Sequence, residues 1–327
     1  MIERLLFLNN YSTDCYENLN IENQLLSRVD IKTVILYLWQ NENTVVIGKN
    51  QNPLAECDIN KVQEDGVKIA RRLSGGGAVF HDKGNLNFTF VTNKENYNLQ
   101  KQMEVIKKAC ALAGIKAEIS GRNDILVDTK KFSGNAFYHS KNVSLHHGTL
   151  LINSNLDNVS KYLTPDVSKL QAKGIKSVKS RVINLRELNR ELTCDKMREY
   201  MVAAAQEVYS VKAEEYPDIN SLKNEETIKL YGSREYIFKT PIPYTAIFKG
   251  RLSLGHFEFR FLVKDEKIED LQIFTDALNE KIPEQIKELL IGTKYDFYEM
   301  KNKLNSAFDS NFTKQIINLM KASREDG

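Results

Sequence analysis

Two adjacent arginines followed by three successive glycines are the residues of this sequence that most clearly suggest chemistry. Arg71 and Arg72 precede Gly75, Gly76 and Gly77. A guanidinium group offers paired planar donors to carboxylate or phosphate oxygens, and glycine lets backbone N–H groups approach a ligand closely. The segment predicts a loop that folds over a carboxylic acid or a phosphorylated acid. A solvated arginine pair beside a glycine-rich turn is the alternative, and the spacing matches neither a P-loop nor a dinucleotide-binding loop.

A lysine that follows a strand and a polar turn is the second candidate. Lys131 precedes Phe132, Ser133 and Gly134. Its ammonium group could stabilise oxygens that become more negative during a reaction, or it could be an exposed hairpin lysine. Asp124, earlier in the same block, could hold a Mg²⁺ ion that bridges nucleotide phosphates, or it could cap a turn.

A pair of neighbouring histidines is the third candidate. His146 and His147 lie in an expected strand, and adjacent side chains of a strand point to opposite faces. The two rings therefore cannot bind one metal ion together, and we expect only one of them to face a pocket. The other histidines, His81, His139 and His256, lack partners at metal-binding spacing, so no resident metal site is predicted.

A basic segment is the fourth candidate. Lys173, Gly174, Ser177 and Arg181 belong to a stretch in which basic residues alternate with small and β-branched ones. Such a loop could become ordered over a negatively charged nucleotide. A solvated basic loop is the alternative.

The elements that must position these residues are helices and strands in irregular order, which predicts an α+β fold. A proline-containing stretch at 240–244 is the best linker candidate, and we predict a catalytic domain at 1–244 and a small accessory domain at 245–327. The spacing predicts helices over 18–29, 103–113, 200–208, 283–291 and 304–319, and strands over 33–39, 44–48, 124–128, 148–152, 255–263 and 270–275.

The totals exclude several classes of protein. The chain has 327 residues, 42% of them hydrophobic and 27% charged, and its formal net charge is +3. This balance calls for neither nucleic acid nor an anionic membrane as a partner. The apolar runs have the length of strands, and the N-terminus lacks a signal-peptide pattern. Four widely spaced cysteines indicate a reducing compartment, so we expect a cytoplasmic protein.

Read together, the motifs closely resemble those of lipoate–protein ligases of the single-chain bacterial type, in the biotin/lipoate ligase superfamily. The likeness keeps its order across roughly residues 30–185 and continues at 274–279. It consists of R-R-L-S-G-G-G-A-V-F-H-D-x-G-N, G-R-N-D-I, K-F-S-G-N-A, H-H-G-T-L-L, K-G-I-x-S-V-x-S-R-V and F-T-D-A-L-N.

The resemblance implies a large mixed-sheet catalytic domain followed by a small C-terminal α+β domain. It implies that ATP, with Mg²⁺, activates lipoate to lipoyl-AMP with release of pyrophosphate. The lipoyl group then passes to one lysine of a lipoyl domain, either in the acyltransferase subunit of a 2-oxoacid dehydrogenase or in glycine-cleavage H protein. The family's usual state is a monomer.

The resemblance also implies roles for individual residues. Lys131 would contact both the α-phosphate and the acyl carboxyl group and act as the main catalytic residue. Asp124 would act through Mg²⁺. Leu73 and Phe132 depart from the family pattern, which leaves the preference between lipoate and octanoate open. The nucleotide side would be lined by Arg72, Gly77, Ala78, Val79 and Phe80; the acyl side by Arg71, Ser74, Gly75, Gly76 and His147; and the closing loop would be formed by Lys173, Gly174, Ser177 and Arg181.

Two other functions fit the same fold. An octanoyl or lipoyl amidotransferase would use a cysteine nucleophile and no ATP. Cys110 lies on the apolar stripe of a helix and Cys57 precedes an acidic segment, so neither has the surroundings of an activated thiol. A non-catalytic lipoyl-carrier binding protein is the second alternative, although retention of Lys131 and both arginines argues against it. A biotin ligase is disfavoured because its G-R-G-x-G-R block is missing.

Overall fold

The computed structural model describes residues 2–121, 124–164 and 182–325. The predicted closing loop at 173–181 lies outside these ranges, as do Arg122 and Asn123 of the second motif. The strands are β1 Arg4–Asn9, β2 Thr33–Trp39, β3 Thr44–Ile47, β4 Lys68–Arg71, β5 Val79–His81, β6 Asn85–Asn93, β7 Glu118–Ser120, β8 Asp124–Val127, β9 Lys130–His139, β10 Val143–Leu151, β11 Ala213–Glu215, β12 Ala246–Leu252, β13 Gly255–Lys264 and β14 Lys267–Thr275. The helices are α1 Cys15–Leu25, α2 Pro53–Glu56, α3 Ile59–Glu64, α4 Leu99–Leu112, α5 Leu156–Tyr162, α6 Cys194–Tyr209, α7 Glu225–Gly232, α8 Arg234–Phe238, α9 Ile282–Leu290, α10 Phe297–Leu304 and α11 Ser310–Glu325.

An eight-stranded mixed sheet forms the centre of the larger part of the chain. Its order is β11-β1-β2-β6-β10-β9-β8-β7, and β1 runs parallel to both β2 and β11 while the other pairs are antiparallel. All seven residues of β2 are buried because helices cover both faces of the sheet. Helices α4 and α6 pack against the face that carries Leu36 and Phe88, and α1 packs against the face that carries Tyr37 and Leu145.

A three-stranded sheet of order β4-β3-β5 holds the glycine-rich segment. Strand β4 ends at Arg71 and β5 begins at Val79, and both strands pair with β3. Residues 72–78 therefore cross the end of β3 as a loop. Gly48, just after β3, must be a glycine because a Cβ there would lie 2.3 Å from the carbonyl oxygen of Gly76.

The C-terminal part of the chain has its own core. Phe257, Phe259 and Phe261 on β13 pack with residues of α9, α10 and α11, and all members of this cluster lie between residues 246 and 320. Residues 240–244 carry no helix or strand. The boundary at residue 244 stays a prediction.

Most predicted elements are confirmed, and one is wrong. The predicted helix over 304–319 is two helices, α10 and α11. Helix α10 ends at Leu304, and the carboxylate of Asp309 then accepts hydrogen bonds from the backbone N–H groups of Asn311 and Phe312, which starts a new helix. The apolar spacing continued across the break because Leu304 and Phe312 pack into the same core.

Helix α1 spans Cys15–Leu25, so it both begins and ends earlier than the predicted 18–29. Asp14 accepts hydrogen bonds from the N–H groups of Tyr16 and Glu17, and this cap sets the start at Cys15. Within the described ranges, every helix is too short or too polar to span a bilayer.

Candidate active site

The side chain of Arg72 holds the glycine-rich loop in shape. Its Nη2 donates to the carbonyl oxygens of Gly75 at 2.7 Å and Gly77 at 2.8 Å, and its Nε donates to Ser74 Oγ at 3.1 Å. Gly76 adopts φ +91°, which a residue with a Cβ rarely tolerates. Burial lowers the pKa of Arg72 to about 10, and the group stays charged at neutral pH. Its Nη1 donates to the carbonyl oxygen of Val46 on β3 at 3.2 Å, so Arg72 holds the loop against that strand, and its assignment to the nucleotide side stays a prediction.

Arg71 points to different partners. Its Nη1 donates to the carbonyl oxygens of Gly48 at 3.1 Å, Lys49 at 2.9 Å and Gln51 at 2.8 Å. Its Nε and Nη2 donate to the carbonyl oxygen of Ile237 at the end of α8. These contacts fasten the turn after β3 to the C-terminal end of a helix. The hydrogen bonds of Arg71 therefore stabilise the packing of this turn against the helix. Its predicted contact with an acyl carbonyl stays a prediction.

Ser74, His147 and Glu22 form a line of buried hydrogen bonds. The Oγ of Ser74 lies 2.6 Å from His147 Nε2, and His147 Nδ1 lies 2.7 Å from Glu22 Oε1. Thr89 Oγ1 donates to the same carboxylate oxygen at 2.7 Å, and Trp39 Nε1 donates to Thr89 Oγ1 at 3.0 Å. The glycine-rich loop is thereby joined to the face of the main sheet that α1 covers.

The two neighbouring histidines lie on opposite faces, as predicted. His146 Nδ1 is 3.0 Å from Gln102 Oε1 and its Nε2 is 2.8 Å from Asn135 Oδ1, among the aromatic rings under α4. Burial lowers the pKa of His146 to about 3, so it is a neutral core residue. His147 is the histidine that faces the loop.

Lys131 lies on the same face of the sheet as His147. Its Nζ forms an ion pair with Asp124 Oδ1 at 2.7 Å, and 36% of its side chain is exposed. The amine sits over Gly134, where a Cβ would lie 3.0 Å from Nζ and 4.0 Å from Thr149 Oγ1. Thr149 is two residues after His147 on β10, and side chains two apart on a strand share a face. The ammonium group can therefore reach the region in front of the histidine.

The backbone of Lys131 is joined to the end of the segment that the structure leaves undescribed. Ile183 N donates to the carbonyl oxygen of Lys131 at 3.0 Å, and Val182 forms a bridge with the same residue. The residues that follow the predicted closing loop thus begin beside the predicted catalytic lysine.

The glycine-rich loop is buried on one side and accessible on the other. Ser74, Gly75 and Gly76 are buried, whereas Gly77, Ala78 and Val79 are partly exposed. The ring of Phe80 stacks on Tyr162 with 5.1 Å between centroids, so only its backbone could meet a ligand. The assignment of residues 77–80 to the nucleotide side stays a prediction that this exposure permits.

Sequence reasoning missed Glu22, Trp39, His81 and Thr89. Glu22 is wholly buried, and its spacing of three residues from both Leu19 and Leu25 would have shown an acid on the apolar face of α1. His81 packs edge-on against Trp39, and burial lowers its pKa to about 3. For Trp39 and Thr89 the sequence carries no comparable signal, because polar contacts inside a sheet depend on strand order.

The cysteines lack the features of a nucleophile. Burial raises the pKa of Cys15, Cys57 and Cys110 to about 12 and that of Cys194 to about 11. A thiol attacks as its thiolate, and at neutral pH these thiols are protonated.

Comparison with known proteins places the chain among enzymes of one kind. Residues 14–206 match the family described as lipoyl protein ligase A/B catalytic domain, and residues 242–322 match the family described as bacterial lipoate protein ligase C-terminus. A protein of Bdellovibrio bacteriovorus named lipoate-protein ligase A is 41% identical over 287 residues, which cover 85% of each chain.

Two solved structures resemble the fold. P. falciparum LipL1 in complex with lipoate has a TM-score of 0.84 and 30% identity, covering 96% of this chain and 98% of that one. The second belongs to an archaeal lipoylation system, described as a bipartite lipoate protein ligase and its E2 lipoyl domain from Thermoplasma acidophilum. It has a TM-score of 0.64 and 25% identity, covering 75% of this chain and all of that one.

Proposed function

Since this chain belongs to the lipoate–protein ligase family, we propose that it uses ATP to convert lipoate into lipoyl-AMP and then transfers the lipoyl group to a lysine of a lipoyl domain. The observation that carries the proposal is the placement of Lys131 on the sheet face that also presents His147 to the glycine-rich loop. The ammonium group of Lys131, the partly exposed residues 77–79 and the buried line of Ser74, His147 and Glu22 would together form the site.

The first half-reaction needs charge neutralisation more than acid–base chemistry. The carboxylate oxygen of lipoate attacks the α-phosphorus of ATP, and pyrophosphate leaves. Both reactants are anions, so an ammonium group between them lowers the barrier by stabilising the charge that builds up on the phosphate oxygens. Lys131 fills this role because its side chain is partly exposed and its partner, Asp124, is an equally exposed carboxylate that can be exchanged for substrate oxygens.

ATP would lie along Gly77, Ala78 and Val79, the exposed part of the loop, with the backbone of Phe80 behind it. Asp124 is the residue suited to Mg²⁺, since this ion is commonly held by one or two carboxylates together with substrate phosphates. Among the described residues, the acids and histidines form no group of three that could hold a metal without ATP. The ion's chemistry would be to draw charge from the phosphates.

The acceptor in the second half-reaction is a protein. The archaeal relative is described with its E2 lipoyl domain, which supports a lipoyl domain as acceptor here. We extend this to the acyltransferase subunits of 2-oxoacid dehydrogenases and to glycine-cleavage H protein. Lys173, Gly174, Ser177 and Arg181 would cover the adenylate, and the enzyme would act as a cytoplasmic monomer.

The ligase is favoured over the cysteine-dependent transferase by the state of the thiols. The four cysteines are buried or half-buried, and burial raises the pKa of each one. A catalytic cysteine requires the opposite shift. A lipoyl-carrier binding protein without activity would have no need for an accessible lysine at this position.

Lipoate-dependent exchange of pyrophosphate into ATP tests the proposal. Lys131→Ala should lower the exchange rate by about 10²–10³-fold, the usual cost of removing one donor to a charged transition state. Lys130→Ala is the matched control, because Lys130 is exposed on the same strand and should leave the rate unchanged. Near-normal exchange in the Lys131 variant would show that this residue does not stabilise the reacting phosphate. Exchange of pyrophosphate in the absence of lipoate would contradict lipoate as the substrate of the first half-reaction.

A further inference from the structure

We propose that Glu22 positions His147 as the proton acceptor of the transfer step, with the hydroxyl group of Ser74 as the relay. The proposal rests on the proposed function and assigns a chemical task to its second half-reaction. Glu22 and Ser74 are fully buried and His147 is 6% exposed. Three polar groups in one line, so far removed from water, need a reason to be there.

The direction of every hydrogen bond in this line can be worked out from its two ends. Trp39 Nε1 is a donor only, so Thr89 Oγ1 accepts from it and uses its own proton to donate to Glu22 Oε1. The same carboxylate oxygen then accepts from His147, which fixes the proton of the imidazole on Nδ1. The lone pair is left on Nε2.

The hydrogen bonds at the Ser74 end of the line also leave His147 Nε2 as an acceptor. Arg72 Nε is a donor only, and it donates to Ser74 Oγ at 3.1 Å. The serine proton has two acceptors in reach, His147 Nε2 at 2.6 Å and the carbonyl oxygen of Gly75 at 3.4 Å, and the much shorter distance favours the histidine. The hydroxyl group of Ser74 thus donates to the imidazole of His147, which can act as a base. The carboxylate of Glu22 accepts from the other nitrogen of the same ring.

The two half-reactions differ in their need for such a base. Formation of lipoyl-AMP releases no proton from lipoate, because its carboxylate attacks directly. In the transfer, the acceptor lysine reacts as its neutral amine, after losing one proton to solvent. Its nitrogen bonds to the acyl carbon, the bond from that carbon to the phosphate oxygen breaks, and AMP leaves. The nitrogen gives up a proton to Ser74 Oγ while the serine proton moves to His147 Nε2, and the carboxylate of Glu22 stabilises the resulting imidazolium.

The charged groups around His147 suit this role. Glu22 faces it from α1, Arg72 faces it through Ser74, and His81 approaches it from β5. His81 is neutral because burial lowers its pKa to about 3. His146, the neighbour in sequence, points to the opposite face and is also neutral. Among the described residues, the carboxylate of Glu22 contacts the ring directly and the guanidinium group of Arg72 lies behind Ser74. The ammonium group of Lys131 lies on the same face of the sheet, paired with Asp124.

The test separates the half-reactions in the full-length enzyme. Glu22→Gln keeps the size of the side chain, but its amide can donate to Nδ1 and so favours the wrong tautomer of His147. We expect transfer from preformed lipoyl-AMP to an unmodified lipoyl domain to slow by about 10²–10³-fold. Lipoate-dependent pyrophosphate exchange should stay within about threefold of wild type, because that step moves no proton.

The pH profile provides a readout that a purely structural role would not change. Wild-type transfer should slow steeply as the pH falls, because the acceptor amine and the proton acceptor must both be unprotonated for the reaction. In Glu22→Gln and in His147→Gln the slowing should be less steep, because only the acceptor amine then has to lose a proton before it reacts. His146→Gln is the control: it removes a buried histidine from the same strand but should preserve the profile and the ratio of the two rates. Thermal unfolding shows that each variant is folded.

Three results would overturn the proposal. Transfer at the wild-type rate in Glu22→Gln would show that the carboxylate has no part in it. An equal loss of exchange and transfer in a folded variant would assign Glu22 to substrate binding instead. Absence of lipoate-dependent exchange in the wild-type enzyme would refute the proposed function itself, and this proposal with it.

Discussion

Replacing Gly75 with alanine should separate the C-terminal part of the chain from the glycine-rich loop. A Cβ at Gly75 would lie 2.3 Å from the carbonyl oxygen of Ala277 and 2.6 Å from that of Leu278. These are backbone atoms, so no flexible side chain can move aside, and a carbon at such distances overlaps its neighbours strongly. The loop and the segment after β14 must therefore move apart.

The cost can be worked from the hydrogen bonds that this movement breaks. Gly76 N donates to Ala277 O at 3.0 Å, Thr275 N donates to Asn50 O at 2.9 Å, and Asn50 Nδ2 donates to Glu280 O at 2.7 Å. At about 1 kcal/mol each, the three bonds amount to roughly 3 kcal/mol. This corresponds to about a 10²-fold change in the equilibrium between docked and undocked forms.

Hydrogen exchange at individual amides measures this equilibrium. In Gly75→Ala, the amides of Gly76 and Thr275 should exchange about 10²-fold faster, while amides inside β13 keep their protection. Gly77→Ala is the matched control, because its Cβ would meet no atom within 4 Å. Unchanged protection of Gly76 in a folded Gly75 variant would refute the reasoning, and so would equal losses in the two variants.

Two further substitutions test the surroundings of the site. Arg71→Met leaves the carbonyl oxygens of the turn after β3 and of Ile237 without their donors. We therefore expect the free energy of unfolding in urea to fall by about 3 kcal/mol or more. An unchanged unfolding midpoint would contradict the conclusion that Arg71 fastens this turn to α8. Lys239 has φ +59° and ψ +152°, a conformation nearly restricted to glycine, so Lys239→Gly should stabilise the fold by about 1 kcal/mol or more. Burial lowers the pKa of Lys239 from 10.5 to about 8, so unfolding takes up a proton at this group between these pH values. The contribution of Lys239 to stability therefore rises with pH over that range. The advantage of Lys239→Gly should shrink from pH 7 to pH 10, and urea unfolding that gives an equal advantage at both would contradict the account.

Local patterns predicted the helices and strands well because side-chain periodicity reflects burial. Strand β2 was predicted to the residue, since every position in it is apolar or β-branched and both faces of the sheet are covered. The two-residue period of a strand was also enough to separate His146 from His147. The break between α10 and α11 was missed because Leu304 and Phe312 reach one core from two helices.

The residue types of the site were also readable from the sequence. The sequence predicted a positively charged site beside a glycine-rich loop, from three glycines, an arginine pair, Lys131 and His147. The order of these residues along the chain resembles that of one family. What each arginine does was beyond reach. Arg71 and Arg72 are chemically identical neighbours, yet one fastens a turn to α8 and the other shapes the loop from inside.

Residue types and their spacing along the chain were enough to predict which side chains carry charge, where a glycine-rich loop lies and which face of a strand each residue occupies. These properties depend on neighbours along the chain. Two contacts that join distant residues arise only when the chain folds. Glu22 bonds to His147, 125 residues away in sequence, and Gly76 bonds to Ala277 in the C-terminal part of the chain. Such partners are set by strand order and by the packing of helices on the sheet, so the proton path and the docking contact exist only in the folded protein.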